Sequence, residues 1–152
     1  MKTKQSGFTL VEILIVVVIL GILAAIVIPQ FTEASTEAKT SSLCTDLQSV
    51  RSQIELYKIQ HNDALPGVSN VALGGTHTGA AGFEASMIGQ TDIFGVVGAD
   101  YGPYLQKIPT NQFNNLSTIR IDGAAPGAAT HGWQFNTTTG AFHADTAAHA
   151  AL

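Results

Sequence analysis

The sequence predicts an α+β fold: one long N-terminal helix, its first half transmembrane, packed on a small antiparallel C-terminal sheet. Three observations carry this. Phe8–Ile28 is a run of 21 residues in which nearly every side chain is apolar. Farther on, Leu43, Leu47, Val50, Ile54 and Tyr57 recur at spacings of four, three, four and three, which is one stripe of a helix. Near the end, Trp133-Gln134-Phe135-Asn136 and Ala141-Phe142-His143-Ala144 flank Thr137-Thr138-Thr139-Gly140, the pattern of a hairpin with a glycine-containing turn.

The first element decides the compartment. A helix of 21 residues rises about 1.5 Å per residue and spans roughly 30 Å, the thickness of a bilayer's hydrocarbon core. A buried core helix is the plain alternative, but the rest of the chain offers little structure to surround it. A secretory signal peptide is the other, yet the small pair Ala24-Ala25 lies inside the run and more Ile and Val follow. Lys2 and Lys4 precede the run, and the positive-inside tendency places that end in the cytoplasm and the bulk of the chain across the membrane. One carboxylate, Glu12, interrupts the apolar stretch. An ionised group at membrane depth is costly, so Glu12 either meets a partner or snorkels to the interface. Gly21 and Pro29 are the weak points of the helix, candidates for a bend, although Gly21 also suits close helix packing.

Gly7-Phe8-Thr9-Leu10-Val11-Glu12, after a short basic leader and before an apolar helix, resembles the N-terminus of type IV pilins and type II secretion pseudopilins. The similarity runs over Gly7–Phe31 and continues through Ile19-Leu20-Gly21-Ile22-Leu23-Ala24-Ala25-Ile26. The resemblance implies a pilin-like fold. It implies that a prepilin peptidase cuts between Gly7 and Phe8, that the new Phe8 amine is methylated, and that mature subunits assemble into a helical filament. It also implies that the carboxylate of Glu12 meets the Phe8 amine of a neighbouring subunit. The residue chemistry agrees. Glycine before the cut lets the backbone enter a tight protease site, and the cut discards Lys2 and Lys4 while creating a cation one helical turn from Glu12. Such a pair is far stronger in low dielectric than in water.

The chain is therefore expected to divide into a leader at 1–7, a transmembrane and filament-core helix at 8–29, and a globular domain at 30–152. Within that domain, an amphipathic helix is expected at 30–61, a loop at 62–103 and the sheet at 104–145. One helix would then run from Phe8 to near His61, ended by Asn62-Asp63 and Pro66-Gly67. Arg51, Glu55 and Lys58 fall at i,i+4 and i,i+3 spacing and can pair. A free amphipathic or coiled-coil helix is the alternative for this half. The Gly-, Ala- and Thr-rich stretch from Val68 to Gly102 reads as a surface connection with one helical turn near Phe83–Ile88. The stretch Tyr101–Pro109 resembles the lead into the sheet of major pseudopilins. Leu116–Ile121 alternates as a strand does. Trp133 and Phe135, two apart, are expected to cover Leu47, Val50 and Ile54. The tail from Thr146 to Leu152 is Ala-rich and expected to fray.

The totals exclude several functions. Net charge is −4, and no basic patch lies beyond the leader, so nucleic-acid binding is not indicated. The single Cys44 forms no intrachain disulfide and no four-cysteine zinc site, and reads as a small apolar filler. The cysteine pair of many type IV pilins is absent. No GxGxxG between strand and helix, HExxH or GxSxG occurs, so no enzyme is expected, nor any cofactor. His61, His77, His131, His143 and His149 show no metal spacing, although His131 and His143 could face each other across the hairpin. Many major pseudopilins bind calcium in an acidic C-terminal loop. Here Asp122 and Asp145 are isolated in sequence, so no calcium or other metal site is expected.

The reading that follows is a structural subunit, a major pseudopilin of a type II protein secretion system. Its expected partners are other copies of itself, prepilin peptidase, an inner-membrane assembly platform and the membrane. Its expected location is the inner membrane, single-pass, with the N-terminus cytoplasmic and the C-terminal domain periplasmic, and from there a periplasmic or surface filament. A type IV pilin for adhesion, motility or DNA uptake is one alternative. A monomeric signal-anchored binding domain is the other.

Overall fold

The computed structural model describes residues 7–68, 79–96, 98–123 and 125–152. Lys2 and Lys4 of the expected leader, and Gly74, Gly75 and His77 of the expected loop, lie outside the described residues. The elements run helix α1 (Leu10–Gln60), helix α2 (Gly79–Ile88), strands β1 (Ile119–Ile121), β2 (Ala128–Phe135) and β3 (Phe142–Thr146), and a 3₁₀ turn at Ala147–His149. By compactness the chain forms two units, Met1–Ala38 and Lys39–Leu152.

The second unit holds the core, and α1 supplies one wall of it. Leu43, Leu47, Val50, Ile54 and Tyr57 are buried, the stripe that the spacing predicts. They join Phe83 and Met87 of α2 and Ile119, Trp133, Phe135, Phe142 and Ala144 of the strands in one cluster. Trp133 and Phe135 therefore bury in the same cluster as Leu47, Val50 and Ile54, as their two-residue spacing predicts. Trp133 is fully buried, donates its indole N–H to Pro109 O at 2.8 Å and stacks on Phe142. The fold is thus α+β and pilin-like, with helix against sheet.

α1 ends where the sequence says. Asn62 takes φ +53°, and the Asp63 N–H bonds back to Lys58 O at 2.9 Å. A left-handed residue followed by this six-to-one bond is the Schellman closure of a helix. The buried His61 beyond it stacks on Tyr57 at 3.8 Å, and its ring nitrogens meet Tyr57 O at 2.8 Å and Thr91 Oγ1 at 2.9 Å. Tyr101 and Tyr104 pack edge-on to the same ring. His61 is consequently a pin between the end of α1 and the Thr91–Tyr101 bridge.

Four expectations are corrected. The sheet is mixed: among the described residues it has three strands in the order β1-β2-β3, with β2 and β3 antiparallel but β1 and β2 parallel. Ile119 pairs with Trp133 and Ile121 with Phe135, so β2 runs alongside β1 in the same direction. Alternating burial marks a strand but not its direction. Arg51 does not pair with Glu55. Its guanidinium donates to Phe142 O at 2.8–2.9 Å and to Leu152 O at 2.6 Å, leaving Glu55 to Lys58 at 3.2 Å. The segment from Thr146 is docked rather than frayed, through that Arg51 bond and a stack of His149 on Phe113 at 3.8 Å. The helical turn expected near Phe83 is a full helix, α2.

Candidate functional site

The start of α1 is built around Glu12. Thr9 Oγ1 accepts the Glu12 backbone N–H at 3.2 Å, while Glu12 Oε2 accepts the Thr9 backbone N–H and the Thr9 hydroxyl, each at 2.7 Å. This is a capping box: the two residues satisfy donors that a helix start leaves without partners. The Ile13 N–H then bonds Thr9 O at 3.3 Å and opens the regular ladder. The sequence carries this signal as Thr9-Leu10-Val11-Glu12, a Thr-x-x-Glu before an apolar run. Phe8 precedes the cap, and its side chain is 84% exposed. Gly7, Phe8, Thr9 and Glu12 line one shallow depression.

Beyond the cap, every Leu, Ile and Val from Leu10 to Ile28 is at least half exposed. An apolar surface of this extent is not kept against water; a membrane or other protein must cover it. The helix is long and apolar enough to cross a membrane. It stays helical through Gly21 and Pro29. A Cβ on Gly7 or Gly21 would meet nothing within 4 Å, so the chain's own packing does not ask for glycine at either place. After Pro29, the hydroxyls of Thr32 and Thr36 bond back to Ile28 O and Thr32 O at 3.1 and 3.0 Å.

The other charged centre is the C-terminal loop, where Asp145, isolated in sequence from other carboxylates, is surrounded by hydrogen-bond donors. Its side chain is fully buried. Oδ1 accepts from Arg120 Nη2 at 2.8 Å and from the Gly127 and Ala128 N–H groups at 3.0 and 3.1 Å; Oδ2 accepts from the His131 N–H at 3.2 Å and the Thr130 hydroxyl at 3.4 Å. Burial by itself would push the carboxyl up, but Arg120 and the N–H groups of Gly127, His131 and Ala128 outweigh it and hold it below the usual range. Asp122 is held down by the hydroxyl and N–H of Thr137. No sequence pattern announced this hub, because Arg120 and Asp145 lie 25 residues apart.

His143 pairs with Gln134 across the hairpin, so His131 does not face it. His131 Nδ1 instead meets the Thr130 hydroxyl at 3.0 Å. Among the described residues no three of His, Cys, Asp and Glu are grouped to hold a metal. Cys44 is half-buried on α1.

The prokaryotic N-terminal methylation motif matches residues 2–28, the segment that holds Gly7, the cap and the exposed helix. Type II secretion system core protein G of Pseudomonas aeruginosa is 33% identical over 114 residues, covering 75% of this chain and 72% of that protein. This chain belongs to that family, the major pseudopilins. Core protein G of Aeromonas hydrophila is 38% identical over 61 residues, 40% of this chain. The type IV major fimbrial protein FimA of Dichelobacter nodosus is 41% identical over 64 residues, 42% of this chain. The pseudopilin spans only 43% of the Aeromonas protein's length and 41% of the Dichelobacter protein's. No solved structure matches the chain.

Proposed function

We propose that this pseudopilin is a precursor cut by prepilin peptidase between Gly7 and Phe8, methylated on the new Phe8 amine, and polymerised through α1 into a periplasmic filament. In this reading residues 1–7 are the leader, 8–29 the membrane and filament-core segment, and 30–152 the periplasmic globular domain. The leader end faces the cytoplasm, and subunits leave the inner membrane at an assembly platform to extend the fibre. The work is mechanical: the growing fibre pushes secreted proteins outward.

One observation carries the reading. The carboxylate of Glu12 stands at the first turn of α1, whose first half is apolar and exposed, four residues from Phe8, with only the Thr9 cap as a partner among the described residues. A carboxylate taken into a protein or lipid interior is penalised unless it meets a cation. Cutting before Phe8 creates that cation on each subunit, and another copy's amine joins subunits where the apolar helices gather. The open space around Gly7 and Gly21 suits a peptidase cleft at the first and a neighbouring helix at the second. Pro29, followed by the hydroxyl back-bonds of Thr32 and Thr36, suits a bend beyond the membrane segment.

N-terminal sequencing of the mature protein tests the first step, and a start at Met1 would remove the precursor reading. Glu12→Val is expected to insert and be cut normally but to form no filaments. Filaments of normal length from that variant would remove the docking role. The fimbrial likeness favours a type IV pilin as the second reading, over a smaller share of the chain than the Pseudomonas core protein. Filaments on the cell surface at native expression would favour it.

A further inference from the structure

The turn after β1 gathers oxygen atoms around a positive charge. Asp122 O lies 3.4 Å from Arg120 Nη1, Ala125 O lies 3.2 Å from Nη2, and Asp145 Oδ1 lies 2.8 Å from Nη2. Backbone carbonyls and a carboxylate are the kinds of oxygen that a hard cation takes, and here they surround one guanidinium. That guanidinium is only 16% exposed.

We propose that Arg120 is the built-in cation of this loop, so that this pseudopilin closes its C-terminal turn without the calcium ion that its resemblance to major pseudopilins implies. The donor set does not fit calcium. A calcium ion takes six to eight oxygens and a matching negative charge. Among the described residues the carboxylate paired with Arg120 is that of Asp145, one negative charge against one positive. The carboxylate of Asp122 is turned to the N–H and hydroxyl of Thr137. The second oxygen of Asp145 is taken by Thr130 and His131. A guanidinium is also permanent in a way that a bound ion is not: it keeps its proton at every physiological pH and cannot be chelated away. The loop's stability is then set by the sequence and not by the calcium level of the compartment.

The test is thermal unfolding of the full chain in detergent, followed by the fluorescence of Trp133, in millimolar calcium and in excess chelator. An ion that binds the native state alone raises Tm. The wild type is expected to melt at the same temperature in both solutions, and a rise of several degrees with calcium would overturn the proposal. Arg120→Gln removes the charge and is expected to melt lower than wild type in chelator. An unchanged Tm for that variant would equally overturn the proposal. Arg120→Lys keeps a cation and is expected to fall between the two; melting no higher than Arg120→Gln would count against it. If Arg120→Gln does not fold, the wild-type pair of melts still decides. The readout is independent of filament assembly, so its failure is distinct from failure of the precursor reading.

Discussion

Replacing Asp145 by alanine deletes an acceptor that five donors share: Arg120, Thr130 and the N–H groups of Gly127, Ala128 and His131. The carboxylate is fully buried, so water does not take its place in the wild type. Removing one partner of a buried ion pair costs about 3–5 kcal/mol, because the other is left uncompensated. Each orphaned buried donor adds about 1–3 kcal/mol in isolation, but the donors here are neighbours and their losses overlap. Arg120 is 16% exposed and regains some hydration, which offsets part of the added donor cost and leaves the total near the middle of the range. A loss of about 4 kcal/mol lowers Tm by roughly 10–20 °C for a domain of this size. The assay is thermal denaturation of the full chain in detergent, with Asp145→Asn beside it. Asparagine keeps the shape and one acceptor oxygen but not the charge, and is expected to cost about half as much. A Tm for Asp145→Ala within about 2 °C of wild type would refute the argument that this carboxylate organises the loop.

The pH dependence follows from the same residue and from His143. Asp145 is held below the usual carboxylate range, so its contribution is full above about pH 4, the unfolded value, and is lost as pH falls through the lower folded value. His143 is pushed below the usual imidazole range by burial and then by the Arg51 charge, against a bond to Ala150. The unfolded chain therefore takes up its proton first, and stability declines as pH drops below about 6.5. His143→Gln is expected to flatten Tm between about pH 7 and pH 5, and an unchanged slope would count against this assignment. Gly132→Ala is expected to destabilise by about 2 kcal/mol or more: its Cβ would stand 2.1 Å from Leu116 O, a backbone atom that cannot swing away. A chemical denaturation midpoint equal to wild type would show that the Leu116 backbone yields freely.

The membrane-length helix, the prepilin-type start and the helical stripe were legible in the chain because each is a local pattern. An apolar run, a capping box and a four-three spacing need only neighbouring residues, and one face of a helix is set by its period. The hairpin was legible for the same reason: two short runs flank a turn. Strand direction was not, since Ile119–Ile121 alternates identically whether its partner runs with it or against it. Nor was the partner of Arg51, which the helical spacing assigns to Glu55 and the fold assigns to Phe142 O and Leu152 O.

By itself the sequence determined that this chain carries a membrane-length helix, a prepilin-type start and a pilin-like α+β domain, since hydrophobic period and motif are written residue by residue. Only the tertiary structure decided how the C-terminal loop is closed. Arg120 and Asp145 lie 25 positions apart and carry ordinary charges until the turn after β1 brings them to 2.8 Å with the carboxylate fully buried. Burial converts that pair from surface charges worth little into the centre of the loop, and burial is a property of the fold and not of any stretch of sequence.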